Sequence, residues 1–295
     1  MRLGVAYVPT FPPERLRELA VAVDGAGLDE LWVWEDCFKQ SAVASAAMAL
    51  AWTSRVRVGV GLMPAPLRNV ALCAMEIATL ERTFPGRLVA GVGHGVQSWM
   101  EQAGARVASP LTLLEEYAGA LRRLLTGERV TVAGRYVRLD DVALDWPAES
   151  PTPLMLGGVG PRSLTLAARL GDGNLLGTAM SAAELEAACR AVADVRGPGH
   201  PVVATQVVAT GPGARDRVDR EVACWRSAPA AGSGTSGSAA EVAESLLAMG
   251  AAGATSVVVH PTRDEPDLAG FIRFLGQEVR PLLGASSGSS PTSST

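Results

Sequence analysis

The sequence is poor in several residue types, and each shortage excludes something. Lys39 is the only lysine among 26 basic residues, so a Schiff-base barrel aldolase would have to use it. Four cysteines, Cys37, Cys73, Cys189 and Cys224, are scattered with no CxxC pair, which indicates neither a disulfide framework nor a zinc site. No stretch approaches the roughly 18 uninterrupted apolar residues of a membrane span. The net charge is −4, with no basic stripe, which argues against nucleic acid as the main partner. A strand-like run, Leu3 to Val8, comes at once, without a basic region and an apolar segment before it, so the expectation is a cytoplasmic protein that acts on a small molecule and holds no metal.

What is present is a large apolar fraction, 48% of 295 residues, enough to bury a sizeable core. Strand-like and helix-like segments alternate along the chain, the pattern of an α/β fold with a parallel sheet. Eight strands are proposed: Leu3–Val8, Glu30–Trp34, Val56–Leu62, Leu88–Val92, Leu154–Leu156, Gly173–Leu176, Val202–Val208 and Ser256–His260. Helical stretches between them include Pro13–Gly25, Val70–Thr83, Leu111–Gly127, Pro161–Leu170, Ala182–Val195 and Ala239–Gly250, with Pro or small residues at their starts and Gly near their ends. Eight such repeats predict one closed (β/α)8 TIM barrel over residues 1–283. Val130–Leu139 reads as a hairpin insertion after the fourth strand, followed by the loop Asp140–Pro153. Ser227–Ser238 reads as a mobile loop, and the Ser/Gly-rich tail 284–295 as disordered.

Barrel active sites lie at the C-terminal strand ends, and three of these ends are unusual. The second strand runs Trp32-Val33-Trp34 into Glu35-Asp36-Cys37; helix capping by Asp36 and core packing by the tryptophans is the plainer reading of that segment. In the third, Gly59 and Gly61 interrupt an apolar strand before Leu62 and Met63, which marks a bulge, a close approach of backbone to a ligand, or a tight barrel corner. In the fourth, His94 stands between Gly93 and Gly95, where a core histidine would have packing neighbours, and is read as facing a ligand. After the fifth strand, Gly157-Gly158-Val159-Gly160-Pro161-Arg162 opens a helix. Bare amides at a helix N-terminus with an arginine in the first turn suit a phosphate group, although a simple tight turn has the same signature. Asp172-Gly173 is read as a turn.

From Leu3 to about Pro281 the chain resembles the luciferase-like flavin oxidoreductases. Arg87-Leu88-Val89-Ala90-Gly91-Val92-Gly93-His94-Gly95, Trp99-Met100, and Gly157 to Arg162 through Asp172-Gly173 are similar to the branch typified by methylenetetrahydromethanopterin reductase. The resemblance implies coenzyme F420, a deazaflavin that carries two electrons, with FMN as the alternative, and a homodimer by family habit. It also implies hydride transfer to an activated C=N or conjugated C=C bond, with the protein supplying position, a proton and exclusion of water. It places a cis peptide near Gly61-Leu62 behind the ring, and Gly93 and His94 on the cofactor. Gly157, Gly158, Gly160 and Arg162 would hold its phosphate. Asp36, Glu35 and His94 are the candidate catalytic groups, with Tyr7 a further proton donor. Tyr7, Trp34, Met63 and Trp99 are assigned to the substrate pocket, whose apolar rim also includes Met100.

Two departures qualify this. Cys37 stands where related deazaflavin enzymes often carry histidine, and reads more simply as a small buried hydrophobe. Val96 stands where the family's sugar-phosphate dehydrogenases carry a catalytic glutamate, which weighs against sugar-phosphate oxidation. Two other functions compete: an FMN-dependent monooxygenase served by a partner reductase, distinguished by bound oxygen-reactive flavin, and a non-catalytic flavin-binding barrel, distinguished by tight cofactor binding without turnover.

Overall fold

The computed structural model describes residues 1–226 and 230–284. The chain begins β1 (Arg2–Ala6), α1 (Leu16–Gly25), β2 (Glu30–Val33), α2 (Ala42–Trp52), β3 (Arg57–Pro64), α3 (Val70–Thr83) and β4 (Leu88–Gly93). Then come α4 (Gln97–Gln102), α5 (Pro110–Leu125), and β5 (Val130–Ala133) with β6 (Arg138–Val142), which pair as an antiparallel hairpin. The carboxylate of Glu116 on α5 ties this hairpin down by accepting from the amides of residues 135, 136 and 137. The chain resumes with β7 (Leu154–Gly157), α6 (Pro161–Leu170), β8 (Gly173–Thr178), α7 (Ala182–Arg196) and β9 (Val202–Ala209). It continues through α8 (Ala214–Trp225), β10 (Gly234–Ser236), α9 (Ala239–Ala251), β11 (Ser256–Pro261), α10 (Leu268–Phe274) and α11 (Arg280–Gly284).

Eight strands close in the order β1-β2-β3-β4-β7-β8-β9-β11, with β11 returning to β1, and all of these pairings are parallel. The sequence-predicted strands match these eight to within two residues at each end. Their helices pack outside, and two carry complete capping boxes, Ser181 with Glu184 on α7 and Ser238 with Glu241 on α9, each satisfying two free amides of the first turn.

The stretch expected as a loop, Ser227–Ser238, is corrected in part. Residues 234–236 form β10 and pair in parallel with residues 207–209 of β9. The β8–β9 pairing ends at Thr205, so on that side the last residues of β9 are left to bond a new neighbour. Residues 227–229 lie outside the described residues. Of the expected disordered tail, Gly284 belongs to α11 and 285–295 lie outside the described residues.

Glycines in the strands make room for one large ring. A β-carbon on Gly59 would sit 2.4 Å from the Trp32 indole and one on Gly61 2.9 Å from it, while Gly4 is nearly as close. Trp32 therefore fills the barrel where its neighbours have no side chains, and its Nε1 donates to the buried carboxylate of Glu30 at 2.8 Å. Glu30 also accepts from Ser256 and pairs with Arg2 at 2.7 Å and Arg57 at 3.2 Å. A buried carboxylate is tolerated only with such partners.

Candidate active site

Between Val60 and Met63 the β3 strand spends three steps against the two from Ala90 to Val92 on β4. The extra residue is a bulge at Gly61-Leu62, and the peptide joining these two residues is cis, as is Cys37–Phe38. The bulge throws the Leu62 side chain across the strand ends, where a β-carbon on Gly93 would meet it at 2.5 Å and one on Gly157 at 2.2 Å. Leu62 thus forms a platform at the barrel mouth, and Gly93 and Gly157 are bare because the platform lies on them.

Above this platform opens a cavity of about 260 Å³. Its floor includes Gly61, Leu62, Gly157 and Gly158, and its walls include Trp34, Trp99 and Trp225. Glu35, Asp36 and His94 also line it. His94 borders a second cavity as well, of about 410 Å³, formed with Gln97, Gly160, Arg162 and Ser163 at the start of α6. Gly160 is the N-cap of that helix and no side chain caps it, so its first amides and the exposed Arg162 face a place suited to an anion. The imidazole thus stands where the two cavities meet, with Nδ1 2.9 Å from the Gly95 carbonyl. Gln97 Nε2 donates to the carbonyls of both His94 and Gly95, which fixes the turn that presents the ring.

The candidate acids differ in their freedom. Glu35 receives the fork of Arg68 at 2.7 and 3.2 Å, and its Oε1 accepts from the Ala42 amide at the start of α2. Arg68 also pairs with Glu76 at 2.8 Å. Burial works against the Arg68 charge, but the Glu35 hydrogen bond and the two carboxylates outweigh it and hold the guanidinium well above its ordinary range. Glu35 is therefore engaged as an acceptor on both oxygens. Among the described residues the Asp36 carboxylate meets Lys39 Nζ alone, at 3.4 Å. Burial, together with the neighbouring carboxylates of Glu35 and Asp36, pushes the Cys37 thiol up, so it stays protonated at neutral pH.

Other expected residues are placed elsewhere. Tyr7 is buried and donates its hydroxyl to the Pro12 carbonyl, and burial pushes it up to about 12; neither Tyr7 nor Met63 lines the cavity. Met63 and Met100 are fully packed, the latter under Gly95. Gly93 lies beneath Leu62 and does not face either cavity. Gly158 is close-packed on Ser163, where a β-carbon would sit 2.5 Å away, whereas Gly160 faces open space. Asp172 forms the expected turn, accepting from the Leu154 amide and pairing with Arg122.

Sequence reasoning missed Arg68, Trp225 and His260. Trp225 ends α8, and the strand that follows it, β10, falls in the stretch expected as a loop, while His260 stands near the end of a strand otherwise made of packing residues. His260 is wholly buried, with the Trp34 ring 5.6 Å away and the Trp225 ring 5.7 Å away at 84°.

Comparison with known proteins agrees with this architecture. The sequence profile of the luciferase-like monooxygenase family matches residues 1–262. The chain is 30% identical over 177 residues to a 5,10-methylenetetrahydromethanopterin reductase of Methanolobus tindarius, covering 60% of this chain and 54% of that one. It is 32% identical over 189 residues to an F420-dependent glucose-6-phosphate dehydrogenase of Kineococcus radiotolerans, covering 59% and 55%. The matched segment thus spans about half the length of these curated relatives. Among solved structures, a coenzyme F420-dependent tetrahydromethanopterin reductase from Methanopyrus kandleri superposes with a TM-score of 0.80 over 95% of this chain and 98% of its own, at 19% identity. A monooxygenase from Streptomyces bottropensis does so with 0.82 over 95% and 99%, at 17% identity. At these identities the two superpositions speak for the fold alone, while the profile covers most of the chain: this protein belongs to the luciferase-like monooxygenase family.

Proposed function

We propose that the chain is an F420-dependent oxidoreductase that delivers hydride to an activated C=N or conjugated C=C bond of a small organic substrate. The observation that carries this reading is the pair of cavities meeting at His94. One has an apolar platform and tryptophan walls suited to a flat ring, and the other has an uncapped helix start and Arg162 suited to a phosphate. A cofactor that joins a flat ring to a phosphate suits two cavities that adjoin at one residue. The curated relatives named for methylenetetrahydromethanopterin reduction and for F420-dependent dehydrogenation support the deazaflavin over FMN.

When bound, the reduced deazaflavin supplies a hydride, and one proton completes the saturation of the acceptor bond. The protein's share is position and proton. Leu62 would back the ring, and Arg162 with the first amides of α6 would hold the phosphate. Glu35 is occupied by Arg68 and Tyr7 by Pro12, which leaves His94 and Asp36 to move the proton at the cavity wall. Val96, in the wall where the sugar-phosphate dehydrogenases of the family carry an acid, offers no proton and turns the reading away from sugar-phosphate oxidation.

The test is a turnover screen with reduced deazaflavin against a panel of cyclic imines and enones, following the return of the oxidised cofactor's absorbance. Consumption of at least one class, lost in His94→Ala or Asp36→Asn, is the expected result. Tight cofactor binding with no acceptor consumed contradicts the reductase reading and favours a flavin-binding barrel.

A further inference from the structure

His260 is the least explained polar group near this site. Its imidazole is completely buried, and among the described residues neither ring nitrogen has a hydrogen-bond partner. Leaving a buried donor and acceptor unpaired is costly, so such a group calls for a partner. The ring lies between Trp34 and Trp225, and both of these line the cavity while His260 stands just behind them.

Trp225 is placed to uncover it. The indole ends α8 and is 37% exposed. Its Nε1 is held by one hydrogen bond of 3.3 Å to Glu221 Oε1. Glu221 is itself engaged by Arg263, whose Nε and Nη2 reach its two oxygens at 2.9 and 3.2 Å. Turning the indole aside therefore gives up one long hydrogen bond and leaves the Glu221 carboxylate paired. Burial outweighs the attraction of Glu221 and holds the imidazole below its ordinary range, so the ring is neutral at pH 7 and offers one donor and one acceptor.

The charge around the cavity limits what can enter. Among the described residues that line it, the charged ones are Glu35 and Asp36, with no arginine or lysine. Arg68 and Lys39 are already engaged by these two carboxylates, so an anionic substrate would be desolvated here without a spare cation to meet it. Aromatic walls favour a flat apolar body.

We propose that Trp34, His260 and Trp225 form the substrate subsite of this mouth, which takes an uncharged planar molecule whose one polar atom hydrogen-bonds to His260 after Trp225 turns aside. The proposal rests on the functional reading above only in treating this mouth as the active site. It assigns the substrate class and makes His260 a substrate contact, in addition to the proton-handling groups His94 and Asp36.

The test is calorimetric titration with three probes of the same ring size, methyl naphthyl ketone, naphthoate and naphthalene, with and without oxidised deazaflavin present. The ketone is expected to bind about tenfold more tightly than either of the others, one hydrogen bond being worth roughly that factor. His260→Phe should abolish the preference for ketone over naphthalene, and His260→Gln, which keeps a donor and an acceptor, should retain part of it. Trp225→Ala should weaken ketone and naphthalene alike, and neither His260 variant should change deazaflavin affinity. Naphthoate binding as tightly as the ketone, an unchanged preference in a folded His260→Phe protein, or displacement of the ketone by deazaflavin overturns the proposal. Failure of the deazaflavin to bind while the probe pattern holds would overturn the cofactor assignment and leave the subsite standing.

Discussion

The Leu62 side chain occupies the space that a β-carbon on Gly157 would need: the two would be 2.2 Å apart. The third and fifth barrel strands are coupled through this contact, because the platform exists only while residue 157 lacks a side chain. Gly157→Ala should push Leu62, the end of a flexible side chain, into the cavity. Deazaflavin affinity should fall at least about tenfold while thermal stability changes little. Adding Leu62→Ala to the same chain should relieve the clash without restoring tight binding, since the platform itself is gone.

Arg68 is the hinge of the acidic wall. Arg68→Met leaves Glu35 and Glu76 without their cation, and removing one partner of this partly buried ionic group should cost about 1–3 kcal/mol, below the range for a fully buried one. Urea denaturation at neutral pH reads this loss directly. Arg68→Lys keeps the charge but not the fork, and should recover most of the stability. Equal stability of all three proteins would show that the Glu35–Arg68–Glu76 group contributes nothing.

His260 carries a pH signature of known sign. Because burial lowers its folded value below the ordinary 6.5, the unfolded chain takes up a proton first as the pH falls. Stability is therefore unaffected by this group above about pH 6.5, and falls below it by up to ~1.4 kcal/mol per pH unit until the folded value is reached. The charged groups acting on the ring are Glu221, which opposes the shift, and Arg263, which adds to it. The stability of the parent relative to His260→Phe should accordingly fall between about pH 7 and pH 5.5, and urea denaturation at the two values checks it.

Packing around Trp32 predicts a contrast between two glycines. Gly59→Ala forces a carbon to within 2.4 Å of the indole, while the same change at Gly160 meets open space. The first should cost about 1–3 kcal/mol or more through overpacking, and the second should leave the melting temperature nearly unchanged.

Much of the barrel was legible because its signals are local. Short apolar strands alternate with helices that begin at Ser or Pro, and Ser181-to-Glu184 and Ser238-to-Glu241 are capping patterns on their face. The strand β10 was not legible, since Gly-Thr-Ser carries no apolar alternation and becomes a strand only because the end of β9 offers free backbone groups. At the site, the glycines pointed to the right places for a partly different reason: Gly59 serves Trp32, and Gly93 and Gly157 serve Leu62. Tyr7 and Met63 sit at the ends of the right strands, yet the alternation of side chains turns them into packing. Trp225 and His260 meet across 35 residues of sequence, through a helix placed over the mouth, and no local spacing announces such a contact.

The most direct test of the cofactor assignment is a pair of fluorescence-quenching titrations, with oxidised deazaflavin and with FMN, on the parent and on Gly160→Asp. That substitution puts a carboxylate at the α6 N-cap, where it suits the helix and repels a phosphate, so the fold is kept while the anion site is spoiled. Saturable binding of the deazaflavin in preference to FMN, lost in Gly160→Asp, is the result predicted here. Preferential binding of FMN, or deazaflavin binding indifferent to the substitution, would contradict it.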